Sequence, residues 1–321
     1  MTHFFKRILS GMAAVCMAVS AHAATDWPNR PIELVVGFAP GGNTDILARV
    51  LANHLSEELK NPVIVNNKPG ATGLIGTNYV VGAKPDGYTY LVNVTGLVLS
   101  PHVSASVPLD LPMQLQAVAQ VSSIPKAVVV REDFPANSFE ELLRLAKERT
   151  LSYGSTGVGS GNHLTGELVS MTAGQPMIHA TYRGSGPAMV DLLGGQIDMV
   201  FDDLPVVRPQ IEEKRLKALM TLTKERVPYL PDVPSARELG YDHLIFEPWN
   251  GVLAPKGMDP EILAKMEKAI EKVVKSKAFG DELEAKGLKA EFRNSSDYAA
   301  LIKEEYDRWG EVVRKAGIQR Q

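Results

Sequence analysis

A two-lobed α/β fold is expected for this 321-residue chain. Short β-branched apolar runs alternate along it with stretches of helical apolar spacing, as strands joined by helices would. Two of the strand-to-helix junctions carry more glycine than a tight turn needs. The length, about three hundred residues after a leader, exceeds what one hydrophobic core usually serves.

Lys6 and Arg7 precede the apolar run Ile8 to Val19, and Ala21-His-Ala23 offers the small residues that a signal peptidase requires. Residues 1–23 therefore read as a secretory signal peptide, which predicts a periplasmic protein. The run is too short for a membrane span, and no later segment approaches one. Cys16, the only cysteine, lies inside this leader, and Val15 before it does not suit lipoprotein processing. The mature chain then has no disulfide, no thiol nucleophile and no Cys-ligated metal. Loss of Lys6 and Arg7 makes the formal charge of −3 two units more negative. The charges are interspersed, so neither nucleic acid nor an anionic membrane is an expected partner. An anion would have to be held by local dipoles and a few cations.

The mature part opens on a strand, Ile32-Glu-Leu-Val-Val-Gly37. Phe38-Ala-Pro-Gly-Gly-Asn43 then turns at once into a helix with Ile46, Leu47, Val50, Leu51 and Leu55 at helical spacing. Gly41 and Gly42 allow positive φ and close approach of a ligand to the backbone. Asn43 or Thr44 is placed to cap the helix, and the free N–H groups of its first turn make an anion seat. Val63-Ile-Val65 is the next strand, and Asn66-Asn-Lys-Pro-Gly70 turns into the helix Leu74–Val81. Pro85-Asp-Gly87 is a turn before the strand Tyr88–Val94, which ends at Thr95-Gly96.

Ala117–Val121 and Ala127–Val130 read as strands, and Ser138 with Glu141 forms a capping box that opens a helix to Arg149. The short strand Leu151-Ser-Tyr153 feeds the second glycine-rich turn, Gly154-Ser-Thr-Gly-Val-Gly-Ser-Gly-Asn-His163. A helix, Leu164–Met171, follows and stops at Gly174. Ile178–Tyr182 is a strand, the helix Ala188–Leu193 stops at Gly194-Gly195, and Ile197–Phe201 is a strand. Ser235 with Glu238 forms a second capping box. Pro260–Ser276 is amphipathic, with Ile262, Leu263, Met266, Ile270, Val273 and Val274 on one face, and a similar helix runs around Tyr298–Val313.

Either glycine turn alone is an ordinary connection. Together, each at the C-terminal end of a strand, they read as two half-sites for a small molecule with two anionic ends. Ser122–Lys126 and His243–Trp249 join strands without a helical crossover and are the expected passages between lobes. One lobe then takes residues 24–123 and 246–321, and the other takes residues 124–245.

The motifs also resemble a known family. Phe38-Ala-Pro-Gly-Gly-x-x-Asp45-x-x-x-Arg49, Asn67-Lys-Pro-Gly-Ala-x-Gly73-x-x-Gly76 and Lys84-Pro-Asp-Gly-Tyr-Thr89 are similar to the Bug-type extracytoplasmic solute receptors of tripartite tricarboxylate transporters. So are Tyr153-Gly-Ser-x-Gly-x-Gly-Ser160-x-x-His163-Leu-x-x-Glu167, Tyr182-Arg-Gly184-x-x-Pro187-Ala and Asp191-Leu-Leu-Gly-Gly-Gln-Ile-Asp198-x-x-Phe-Asp202. The likeness runs from about Trp27 to the C-terminal helices. It implies a type II periplasmic binding-protein fold that closes on a small carboxylate and hands it to membrane transporter subunits. Phe38, Ala39, Gly41, Gly42, Asn43 and Thr95 would line the first lobe's share of the site. Ser155, Thr156, Gly159, Ser160, His163, Arg183 and Asp202 would line the second. The family often has Ser where Asn43 stands. The protein is expected to be a monomer, with no catalytic residue, cofactor or metal.

Several of these residues keep a second reading. Asp45, in the first helical turn, either contacts ligand or braces its loop. Asp202 ends a strand on the cleft side and reads as a contact for an amine or hydroxyl. His163 and Glu167, four apart on a helix, could be a metal pair, but with no third ligand a hydrogen-bonded histidine fits better. Arg183 pairs with a carboxylate or braces the surface between lobes. Phe38, Tyr182 and Trp249 wall the pocket or belong to the core. There is no Gly-x-Ser-x-Gly elbow, Walker lysine, Gly-x-Gly-x-x-Gly after a strand, or His-Glu-x-x-His. The alternatives are a ligand-sensing module that signals to a membrane partner, and an enzyme holding a phosphate ligand or a nucleotide cofactor.

Overall fold

A computed structural model describes residues 27–320, so the expected leader lies outside the described residues. The chain first runs through β1 (Ile32–Val36), α1 (Asn43–Leu59), β2 (Val63–Asn67), α2 (Leu74–Val81), β3 (Thr89–Val94), α3 (Gly96–Val103) and β4 (Leu115–Ser123). It continues through β5 (Lys126–Arg131), α4 (Phe139–Glu148), β6 (Ser152–Ser155), α5 (Gly161–Ala173), β7 (Ile178–Thr181), α6 (Ser185–Leu193), β8 (Met199–Asp203), α7 (Leu204–Glu212) and β9 (Leu216–Thr221). It ends with β10 (Trp249–Pro255), α8 (Pro260–Val274), α9 (Lys277–Glu284), β11 (Lys289–Arg293) and α10 (Ser295–Lys315).

The strands form two sheets, in the orders β11-β4-β10-β3-β1-β2 and β7-β6-β8-β5-β9. The expected α/β class and two-lobed architecture are what the molecule has. Helices cover both faces of each sheet, which is why β1 and β5 read as nearly unbroken apolar runs. One face of the first sheet packs with α1, α8 and α9 through Leu47, Leu51, Ile262, Met266 and Phe279. Its other face packs with α3 and α10 through Leu97, Val98, Tyr298 and Trp309, and Leu164 of α5 joins that cluster. The second sheet is covered by α4 and α5 on one side and by α6 and α7 on the other. Each fully buried Leu or Phe in these layers contributes roughly 1.5–3 kcal/mol.

Six elements were not placed from sequence: α3, α7, α9, β9, β10 and β11. α3 is apolar around much of its circumference and carries Pro101 near its end, so no helical period shows. The Ser235–Glu238 box does form, with Glu238 N donating to Ser235 Oγ and Ser235 N to Glu238 Oε2. Only a single turn follows it, closed by Leu239 N on Ser235 O, and no helix.

The chain passes between the sheets at Ile124–Pro125, shorter than expected because Ser122 and Ser123 belong to β4 and Lys126 to β5. It returns between Thr221 and Trp249. The two passages lie side by side, since Ile124 N donates to Pro248 O at 2.8 Å and Phe246 N to Leu222 O at 2.9 Å.

Candidate functional site

Strand direction decides which residues meet at this junction. β1 and β3 are parallel and in register at Val36 and Val92, so Phe38 and Thr95 leave the first sheet by the same edge. β10 begins and β4 ends at that edge, with Trp249 paired to Ser123. In the second sheet β6 and β8 are parallel, so Ser155 and Asp203 leave by one edge, where β5 begins at Lys126. Two residues separate Ser123 from Lys126, so the two edges face each other. Both glycine-rich turns, Thr95 and Asp202 therefore gather around one junction.

At the first turn only Gly41 has positive φ, +88°; Gly42, the residue before α1, is at −77°. Gly42 is the cap position and carries no side-chain bond. Asn43 and Thr44 are the first two helical residues and do not cap, contrary to expectation, because the turn completes one residue earlier. Asp45 leaves the free helix amides alone and accepts from the residue before the cap. It is 2% exposed, and its Oδ2 accepts from Gly41 N at 2.9 Å and Arg49 Nε at 3.0 Å. Its Oδ1 accepts from Arg49 Nη2 at 2.9 Å and Asn67 Nδ2 at 2.8 Å. Burial disfavours the charged form, but the Arg49, Gly41 and Asn67 donors outweigh it and hold the carboxyl below its usual range. Asp45 is thus a brace, and it neutralises the one cation close to the turn.

Asn67 Nδ2 also donates to Phe38 O, fixing the start of the turn. Gly73 and Gly76 have a steric reason. A Cβ at Gly76 would lie 2.8 Å from Gly37 Cα, and one at Gly73 would lie 3.2 Å from the Phe38 ring. Among the described residues the N–H groups of Gly42, Asn43 and Thr44 have no partner, and Ala39, Gly41, Gly42 and Asn43 are exposed. Thr95 is buried. Its hydroxyl accepts from Trp249 N at 2.7 Å, which ties β3 to the returning passage. Trp249 is core, packed edge-on against Tyr298, while Phe38 is half-buried.

The second turn is held largely from within. Ser155, 1% exposed, accepts from Gly157 N at 3.1 Å and lies 2.6 Å from His179 Nε2. Ser160 caps α5 by accepting from His163 N, and His163 Nδ1 accepts from Gly159 N at 3.0 Å. His163 Nε2 lies 3.6 Å from Glu167 Oε1. Gly159 has φ +77°, and a Cβ there would lie 2.6 Å from Val103 Cβ of α3, so the turn touches the opposite lobe. Thr156 and Val158 are exposed, and the amides of Gly161 and Asn162 have no partner among the described residues. Arg183 is exposed and has no partner among the described residues. Beside it the Tyr182 hydroxyl donates to Asp191 at 2.8 Å; burial and that carboxylate push the phenol up to about 12.

Asp202 is 3% exposed and accepts from Asn162 Nδ2 and Asp203 N. Behind it stands a buried cation that sequence reading missed. Lys126 Nζ donates to Asn162 Oδ1 at 2.6 Å and pairs with Asp203 Oδ1 at 2.7 Å. The signal was available: a lysine opens an apolar strand directly after Pro125. Among the described residues no group of three or more His, Cys, Asp or Glu could hold a metal ion, and no helix is long and apolar enough to cross a membrane.

A cavity of about 600 Å³ lined by Arg208, Lys224, Glu247, Glu291 and Arg293 contains neither glycine turn. The turns are favoured over it on donor chemistry. They present unpartnered amides and a guanidinium without a partner among the described residues, whereas the cavity wall mixes both signs.

A family model described as tripartite tricarboxylate transporter family receptor matches residues 47–318. Protein BugT of Bordetella pertussis is 35% identical over 97% of this chain and 96% of its own. A TctC solute-binding protein from Polaromonas, solved with no ligand, has a TM-score of 0.82 at 30% identity, over 90% of this chain and 99% of its own. A Rhodopseudomonas palustris protein solved with adipate has a TM-score of 0.75 at 29% identity, over 92% of this chain and all of its own.

Proposed function

The chain belongs to the tripartite tricarboxylate transporter receptor family, and from that premise we propose that it is a periplasmic receptor for a small dicarboxylate. It captures the ligand between the two glycine-rich turns, performs no chemistry on it, and delivers it to a membrane transporter. The observation that carries the reading is the uncapped start of α1. Three amides there have no protein partner, Gly41 is already bonded to Asp45, and Asp45 is itself neutralised by Arg49. Such a seat favours an anion and contains no competing charge. For the other end of the ligand, Thr156, the amides of Gly161 and Asn162, and Arg183 are the available donors. A guanidinium can take a carboxylate with two parallel bonds.

Nothing at the turns is arranged for catalysis. Ser155 and His179 are in contact, but the hydroxyl is buried and accepts from its own turn, so no substrate atom could reach it. The bound adipate of the R. palustris relative supports an aliphatic dicarboxylate as the first ligand to try. Purified mature protein should melt higher with adipate or a related dicarboxylate. Ligand at about 100 times its dissociation constant adds roughly 2.7 kcal/mol of stability. No rise across a panel of carboxylates, with a rise on adding nucleotides, would sink the reading.

A further inference from the structure

Beneath the second glycine turn lies a cluster that ligand capture does not itself use. His163 of α5 and His179 of β7 stack with ring centroids 4.0 Å apart and planes 11° from parallel. Tyr153 of β6 stacks on His179 at 4.9 Å and donates its hydroxyl proton to Glu167 of α5 at 2.6 Å. The two imidazoles each reach one glycine of the turn. His163 Nδ1 takes the Gly159 amide directly, and His179 Nε2 holds Ser155 Oγ, which takes the Gly157 amide. Gly157 and Gly159 have φ of +129° and +77°, so these inward bonds depend on glycine, and they leave Thr156 and Val158 facing out.

His163 Nδ1 accepts the Gly159 amide proton. An imidazole nitrogen that accepts an amide proton cannot carry its own. Tyr153 and Glu167 are the titratable groups facing the pair, and burial together with the Glu167 carboxylate keeps the Tyr153 phenol protonated. One carboxylate then stands beside two rings, so a second positive charge would be uncompensated.

We propose that His179 is a positioning residue for the second turn: through Ser155 it fixes the Gly157 amide. Burial and the neighbouring His163 hold His179 down at about 4, against an ordinary value of 6.5. The consequence for ligand rests on the dicarboxylate reading; the consequence for the turn does not.

The test therefore begins without ligand. In isotope-labelled protein, exchange of the Gly157 amide with solvent is read against that of Gly159, which His163 holds directly. In His179→Phe, which keeps an aromatic ring and removes the nitrogen, exchange of the Gly157 amide should rise about tenfold, with that of Gly159 less affected. His179→Gln should restore part of the protection. Ser155→Ala should expose the Gly157 amide with the ring stack intact, which keeps the test open should His179→Phe fail to fold. Adipate affinity near neutral pH should fall about tenfold in His179→Phe. Unchanged Gly157 exchange in both variants overturns the proposal. Raised exchange with no carboxylate bound by the unsubstituted protein upholds the positioning role and overturns the receptor reading. Raised exchange with unchanged adipate affinity overturns the link between turn and ligand.

Discussion

Gly41 and Gly42 are adjacent, and a sequence reader treats them alike, yet the structure assigns them different work. Gly41 stands at φ +88° with open space where a Cβ would go, so Gly41→Ala is strained by backbone conformation alone and should cost about 1 kcal/mol. Gly42 is at φ −77°, and a Cβ there meets nothing nearer than Ala39 O at 3.7 Å. Gly42→Ala should therefore leave the melting temperature nearly unchanged and weaken carboxylate binding, because the added methyl stands beside the proposed seat. Calorimetry on the two variants separates fold from function. Asp45 offers a second residue-scale test. Asp45→Asn removes the ion pair of Arg49, which keeps only its bond to Asn67 Oδ1, and should destabilise by roughly 1–3 kcal/mol. The sign with pH follows from its lowered carboxyl. The contribution of Asp45 is present above the unfolded aspartate value and lost as pH falls through the lower folded one. Acid unfolding curves of the Asn variant should lack that part of the loss.

At the scale of elements, the helix starts show what a sequence can and cannot tell. Ser138 was legible as a cap because a Ser with Glu three residues on has a local mechanism. It forms here, with Ser138 Oγ accepting Glu141 N at 3.1 Å, although Glu141 bonds back to Asn137 N and not to Ser138 N. Asn43 has the right residue type but lies one place inside α1, past the cap position that Gly42 occupies. Ser138→Ala should thus cost about 1 kcal/mol, while Asn43→Ser should change stability by less than about 0.5 kcal/mol. Thermal melts of the two variants, compared side by side, check this. Strands β1, β3 and β5 were legible because two covered faces demand unbroken apolar runs. α3, with its all-round apolar surface and Pro101, was not. The site shows the same division. Glycines and helix starts were visible from local pattern. The ties of Thr95 to Trp249, Ser155 to His179 and Lys126 to Asp203 join residues far apart in sequence, and no local signal encodes them.

At the scale of the molecule, the two lobes meet through two short passages that hydrogen-bond to each other, Ile124 to Pro248 and Phe246 to Leu222. A pivot built this way can turn without breaking either sheet, since no strand crosses from one to the other. The polar partners of Lys126, Asn162 and Asp203, lie in the same lobe as the lysine, so its ion pair is kept when the lobes turn. The fold overlays better on the ligand-free Polaromonas protein than on the adipate-bound R. palustris one, at TM-scores of 0.82 and 0.75 and nearly equal identity. A dicarboxylate with one end on the α1 amides and the other on Thr156 and Arg183 touches both lobes fully only when they approach. It therefore binds the closed arrangement more tightly and shifts the population towards it. Solution scattering should show a smaller radius of gyration with saturating dicarboxylate than without. Thr156→Ala combined with Arg183→Ala should retain weak binding at the first turn but lose the contraction. A radius that stays the same with bound ligand would place the whole site within one lobe and remove the case for two seats.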